Sequence, residues 1–164
     1  MPTKLLLTAF IYLSFSFTKL HAQKVNEGSI PAEFKCPDCI LLIVKKENGE
    51  GIPGFNKHVE KIFKKQYSGK FEVVAAKDID TNSLYKDKAI YRFILGDNSW
   101  SVSSKHSESI GPQDRNHQYT TTATYISFHL YDRQLEKGYP EIGVWHYPVT
   151  TVEHTAKALD EKYK

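Results

Sequence analysis

Thr120–Asp132 reads T-T-T-A-T-Y-I-S-F-H-L-Y-D, and its pattern decides the fold class. Thr124, Ile126, Phe128 and Leu130 fall on one side of a period of two, and Tyr125, Ser127, His129 and Tyr131 on the other. Alternation over so many residues, rich in β-branched and aromatic types, predicts a half-buried strand. The stretch is long for a strand, so it is expected to cross the middle of a sheet and set its register. Its neighbours then read as pieces that extend or cover that sheet.

On the amino-terminal side, Ile40–Lys46 (I-L-L-I-V-K-K) is a continuous apolar run ending in charge, the pattern of a strand covered on both faces. Glu47–Gly54, with three glycines and a proline, is a loop. Phe55–Ser68 places Phe55, Val59, Ile62, Phe63 and Tyr67 on one helical stripe, with Lys57, Glu60, Lys61, Lys64 and Lys65 around it. Gly69 stands where a left-handed cap residue is expected. Phe71–Lys77 is a second strand, so Ile40–Lys77 predicts a right-handed βαβ unit with parallel strands. Asp78–Lys88 is turn-rich, and Ala89–Leu95 is a third strand stopped by Gly96-Asp97-Asn98. Ser99–Ser104 either continues that strand past a bulge or begins a hairpin.

Lys105–Tyr119 lacks periodicity and holds Gly111-Pro112, which predicts a long polar loop. Beyond the central strand, Gln134–Pro140 is a turn and Ile142–Tyr147 returns antiparallel. Thr150 with Glu153 forms a capping-box pattern before a last helix to about Lys162, striped by Val152, Ala156, Leu159 and Tyr163. The order β-α-β-β-β-β-α predicts an α+β fold: a two-layer sandwich, with a mixed four- to five-stranded sheet and two helices on one face.

The chain has 164 residues, 40% of them hydrophobic and 25% charged, which suits one globular domain. Lys4, the uncharged apolar run Leu5–Phe17 and the small Ala22 match a secretory signal peptide, too short for a permanent membrane span. Residues 1–22 are thus expected to be a signal peptide cut after Ala22. Residues 23–35 read as a flexible, exposed leader and residues 36–164 as the single domain. Loss of Lys4 and Lys19 lowers the net charge from +3 to +1, so the basic balance gives no reason to expect a nucleic-acid or membrane-surface partner. The address is export, to a periplasm or the medium.

The layout resembles small exported α/β domains of bacterial envelope proteins, the CsgG-like curli-assembly and TolB amino-terminal domains. The resemblance runs from Ile40 onward and is carried by the apolar first strand, the helix F-N-K-H-V-E-K-I-F-K-K-Q-Y and the strand F-E-V-V-A. A late hairpin with a turn near E-K-G, before a closing helix, completes it. It implies an assembly, scaffolding or binding module and carries over no site residue.

Chemistry is concentrated in one short motif, Cys36-Pro37-Asp38-Cys39, which holds the chain's two cysteines. In an exported chain the pair reads first as a disulfide, with redox activity or metal and partner-thiol chemistry as alternatives. A reactive thiol is favoured at a helix amino terminus, whereas this motif leads into an expected strand. Zinc would need two further ligands at a recognisable spacing, and none follows. His129 and His146 lie on expected hairpin partners beside Tyr125 and Tyr131, a polar aromatic patch suited to binding; the alternative is a wet outer sheet face. Nucleophile-elbow, zincin, phosphate-loop and calcium-loop motifs are lacking, so no cofactor or metal is expected. The expected function is a binding or assembly module with a protein or envelope partner, and a thiol-disulfide protein is the alternative. The sequence leaves the oligomeric state open.

Overall fold

The computed structural model describes residues 25–47, 53–109, 116–145 and 148–164. The expected signal peptide and its cut after Ala22 lie outside the described residues, as does His146. The fold is α+β with a mixed sheet, as expected. Strands β1 (Ile40–Val44), β2 (Lys70–Val74), β3 (Phe93–Ser109), β4 (Asn116–Asp132), β5 (Lys137–Gly138) and β6 (Val144–Trp145) form one sheet. The order across it is β2-β1-β3-β4-β5, and β6 also pairs with β4. Helices α1 (Phe55–Gln66), α2 (Ala76–Thr81) and α3 (Pro148–Tyr163) complete the described framework, with 3-10 turns at Ala32–Phe34 and Ser83–Lys86.

The βαβ unit forms as expected: β1 runs parallel to β2, Ile40 opposite Lys70 through Val44 opposite Val74. β1 also runs parallel to β3 through Leu42–Ile94 and Ile43–Leu95. Leu41, Ile43, Phe93, Leu95, Ile126, Phe128 and Leu130 all face α1 and α3. The stripe of α1 meets that of α3 here, where Phe63, Val152, Ala156 and Leu159 are fully buried. Of these, Phe63, Val152 and Leu159 each contribute about 1.5–3 kcal/mol relative to exposure.

Several expectations are corrected. The leader is not exposed throughout: Ile30 and Phe34 enter the main core, the Phe34 ring lying tilted with its centre 5.2 Å from that of Phe93. Asp78–Lys88, read as turns, begins inside α2 and continues into a 3-10 turn. There Ile79, Tyr85 and Tyr91 pack on Leu42 and Val74 to form a second, smaller core on the other sheet face. Apolar anchors at Ile79 and Tyr85 outweigh the turn composition, and the Asn82 side chain accepts from the Leu84 N–H to start the second turn. The third strand starts at Phe93, because the Asp87 carboxylate accepts from the Ala89 N–H and fixes a turn there.

Gly69 is not a left-handed cap, since its φ is not positive. α1 ends in extended backbone at Tyr67, and a Cβ at Gly69 would lie 2.5 Å from the Tyr67 ring. Glycine is needed there for space. The last helix starts at Pro148, which puts Thr150 inside it rather than at a cap and leaves the capping box unformed. Proline suits that first position because its missing N–H has no partner to lose.

The largest correction concerns residues 96–119. Gly96-Asp97-Asn98 does not stop the strand, and Lys105–Tyr119 is not a loop across its length. β3 and β4 are each 17 residues long and stay paired from Phe93–Asp132 out to Ser109–Asn116. Hydroxyl pairs hold the outer half, Ser101 to Thr124 at 3.1 Å and Ser103 to Thr122 at 3.0 Å, and His106 Nε2 lies 2.8 Å from Thr121 Oγ1. Runs of serine and threonine read as loop by composition, yet cross-strand hydroxyl pairs stabilise a sheet.

Candidate functional site

The register of β3 and β4 puts Ile94, Gly96 and Asn98 on the same sheet face as Tyr131, His129 and Ser127. The α2 cluster covers this face over β1 and β2. Farther out it presents Tyr131, 37% exposed, with His129 and Tyr125 half-buried. The His129 ring lies directly over Gly96, whose absent Cβ would stand 3.0 Å from ring atoms Cε1 and Nε2. A glycine opposite an aromatic residue thus lets the imidazole lie flat along the sheet. Between Tyr125 and His129, Ser127 is buried and its hydroxyl donates to Glu141 Oε1 at 2.8 Å. The face therefore carries two phenols, an imidazole and a carboxylate within a few strand positions. Tyr125 and Tyr131 are six residues apart, about 20 Å along the strand. They border an extended surface rather than a pocket.

Lys46 anchors the root of the hairpin on the core-facing side. Its Nζ lies 2.7 Å from Asp97 Oδ2 and donates to Ser99 Oγ at 2.7 Å, with the ammonium 5.6 Å from the centre of the Phe55 ring. Lys46 and Asp97 are only 8% and 10% exposed, and the Lys46 main chain exchanges hydrogen bonds with the Asn56 side chain. Strand β1, the start of α1 and the base of β3 are fixed together there. The sequence signal was available only as a lysine ending an apolar strand.

At the other end of the sheet Arg92 donates from Nε and Nη2 to Asp132 Oδ2 at 3.0 and 2.7 Å. Asp132 is fully buried, and its Oδ1 accepts from the Gln134 and Leu135 N–H groups. Burial alone pushes this carboxyl up. The Arg92 guanidinium and the two backbone donors together outweigh it and hold the carboxyl below its ordinary range. Asp132-Arg133, read as a turn device, is therefore also a clamp: Arg133 Nη1 donates to the Tyr85 and Tyr91 carbonyls.

Cys36 and Cys39 are joined as a disulfide, with Cα atoms 5.3 Å apart. The turn between them closes with the Cys39 N–H donating to the Cys36 carbonyl at 3.1 Å. A 3-10 turn precedes the pair and β1 follows it, so neither cysteine opens an α-helix. Cys39 is 7% exposed. This is the setting of a staple feeding a strand.

Among the described residues no three His, Cys, Asp or Glu side chains are grouped to hold a metal ion. Among them, too, no helix is long and apolar enough to cross a membrane.

No family model and no curated protein matches the chain. Among solved structures it is similar to a neuraminyllactose-binding hemagglutinin homolog from Helicobacter pylori, at 9% identity and a TM-score of 0.40, over 84% of this chain and 82% of that one. It is similar at the same identity and TM-score to the PelC dodecamer of Paraburkholderia phytofirmans, over 84% of this chain and 95% of that one. At these values the likeness says nothing about ligand or activity.

Proposed function

We propose that the chain is an exported binding module that holds a protein partner on the sheet face at the hairpin root, through Tyr125, His129 and Tyr131. The observation that carries this reading is the half-exposed aromatic surface laid across β4 beside the covered part of the same face. Aromatic side chains that keep a polar atom are the types enriched in protein interfaces. Export is supported by the apolar amino-terminal run and by the disulfide, a bond that persists in oxidising compartments. The staple-like setting of Cys36 and Cys39 favours binding over the thiol-disulfide alternative.

The test is a photo-crosslinking residue at position 131 in the exported protein, read in the host's own envelope. A single discrete adduct is expected, reduced roughly tenfold by Tyr125→Ala with His129→Ala, as for loss of about 1.4 kcal/mol of binding. Undiminished adduct in that variant, with an unchanged circular dichroism spectrum, rejects the face. Loss of the adduct only in Cys36→Ser with Cys39→Ser would move the function to the thiols.

A further inference from the structure

Among the described residues, the outer half of β4 has an edge with no strand beside it. From Asn116 to Thr124 the strand pairs with β3 on one side. Its other side meets β6 first at Ile126 and β5 first at Tyr131, so among the described residues no strand lies beside it. In an antiparallel ladder every second residue then directs its N–H and C=O away from the hairpin. The segment is N-H-Q-Y-T-T-T-A-T: nine residues without Lys, Arg, Asp, Glu, Pro or Gly. Edge strands are ordinarily blunted by such residues.

The rest of the sheet obeys that rule. At the opposite edge β2 is five residues long and carries Lys70 and Glu72. On the hairpin's own outer side, β3 carries Asp97, Lys105 and Glu108. The β4 edge alone is unguarded among these. A two-stranded ribbon is also marginal in water by itself, and a third strand is what makes such ribbons stable.

We infer that the open β4 edge pairs with the same edge of a second copy of this chain, antiparallel about a two-fold axis, to make a four-stranded ribbon. A second copy fits because the segment is self-complementary. Having no charge, it meets its symmetry mate without like-charge repulsion, and with the axis at Thr121 it sets Thr121 against Thr121 and Thr120 against Thr122 of the mate, a favourable cross-strand pairing. The inference concerns the strand's edge rather than its face, and it stands whether or not the aromatic face holds a partner.

The experiment is sedimentation equilibrium on the processed protein, with two double variants, Thr120→Lys/Thr122→Lys and Thr120→Glu/Thr122→Glu. A concentration-dependent dimer is expected for the unchanged chain. Each variant alone places like charges opposite each other and weakens the dimer by roughly tenfold or more. An equimolar mixture of the two variants regains it, which a hairpin that had merely unfolded would not do. A chain monomeric at hundreds of micromolar overturns the inference. So does a lysine variant that dimerises as before, a mixture that recovers nothing, or an open-ended assembly, which would need the β3 edge as well. Partner crosslinking at position 131 reads the other surface, so the two readings fail separately.

Discussion

Two residues show how a local choice sets a measurable energy. Gly69 sits under the Tyr67 ring, where a Cβ would lie 2.5 Å from ring carbons and the ring, 8% exposed, has little room to retreat. Gly69→Ala is expected to lose about 1–3 kcal/mol, the usual cost of overpacking, in a urea titration followed by tyrosine fluorescence. An unchanged midpoint would mean that the ring turns aside freely. Asp132→Ala removes the acceptor for Arg92, 16% exposed, and for two backbone N–H groups at once. Leaving that guanidinium without its carboxylate is expected to cost about 3 kcal/mol. Asp132→Asn, which keeps an acceptor for Gln134 and Leu135, should lose less, and denaturation midpoints in the order wild type, Asn, Ala would bear this out.

At the scale of elements, the disulfide closes a loop with a sequence separation of three and ties the 3-10 turn at Ala32–Phe34 to β1. Chain entropy gives such a short loop about 2 kcal/mol, so Cys36→Ser with Cys39→Ser should shift thermal unfolding by several degrees and leave a cooperative transition. A non-cooperative melt would instead mean that the staple is needed for the amino-terminal core to form. α1 and the closing helix were legible in the sequence because their apolar residues recur at the helical period, and β1 and β2 because short apolar runs suit covered strands. The hairpin was legible on β4 from Thr120 to Asp132, and on β3 only to Leu95, with Ser99–Ser104 left between continuation and a hairpin. Past Ser99 and before Thr120 the ladder is mostly polar, which leaves little contrast of hydrophobicity to read. α2 was hidden for the opposite reason, since one isoleucine in six residues anchors it. Of the candidate site, the side-by-side placement of Tyr125, His129 and Tyr131 followed from strand period alone. The Gly96 recess beneath His129 and the Lys46–Asp97 anchor needed the β3 register, which no local pattern supplies.

For the whole molecule the acid limb of stability follows from two carboxylates. Asp160 accepts from the Ser68 N–H and hydroxyl and pairs with Lys164 at 2.6 Å. Lys164 first, and Ser68 with it, holds the carboxyl below its ordinary range, as Arg92 and the backbone donors hold Asp132. Both carboxyls bind a proton less readily in the folded chain than in the unfolded one. Their contribution is therefore complete above the ordinary carboxylate range near pH 4 and is lost as the pH falls through their lowered values. Urea midpoints measured from pH 6 down to pH 2 should fall mainly below pH 4 or so, and Asp132→Asn should flatten part of that fall. A profile equally steep in that variant would assign the acid sensitivity elsewhere.

The two ends of the described chain are built into one another. Phe34 and Leu159 share the main core, the Asn26 side chain donates to the Glu141 carbonyl, and Lys35 reaches the main-chain carbonyl of Lys164. A polypeptide threaded amino terminus first through a narrow channel cannot complete that core until the closing helix has followed. On the export route proposed above, the chain would stay loose in transit and lock only on release at the far side.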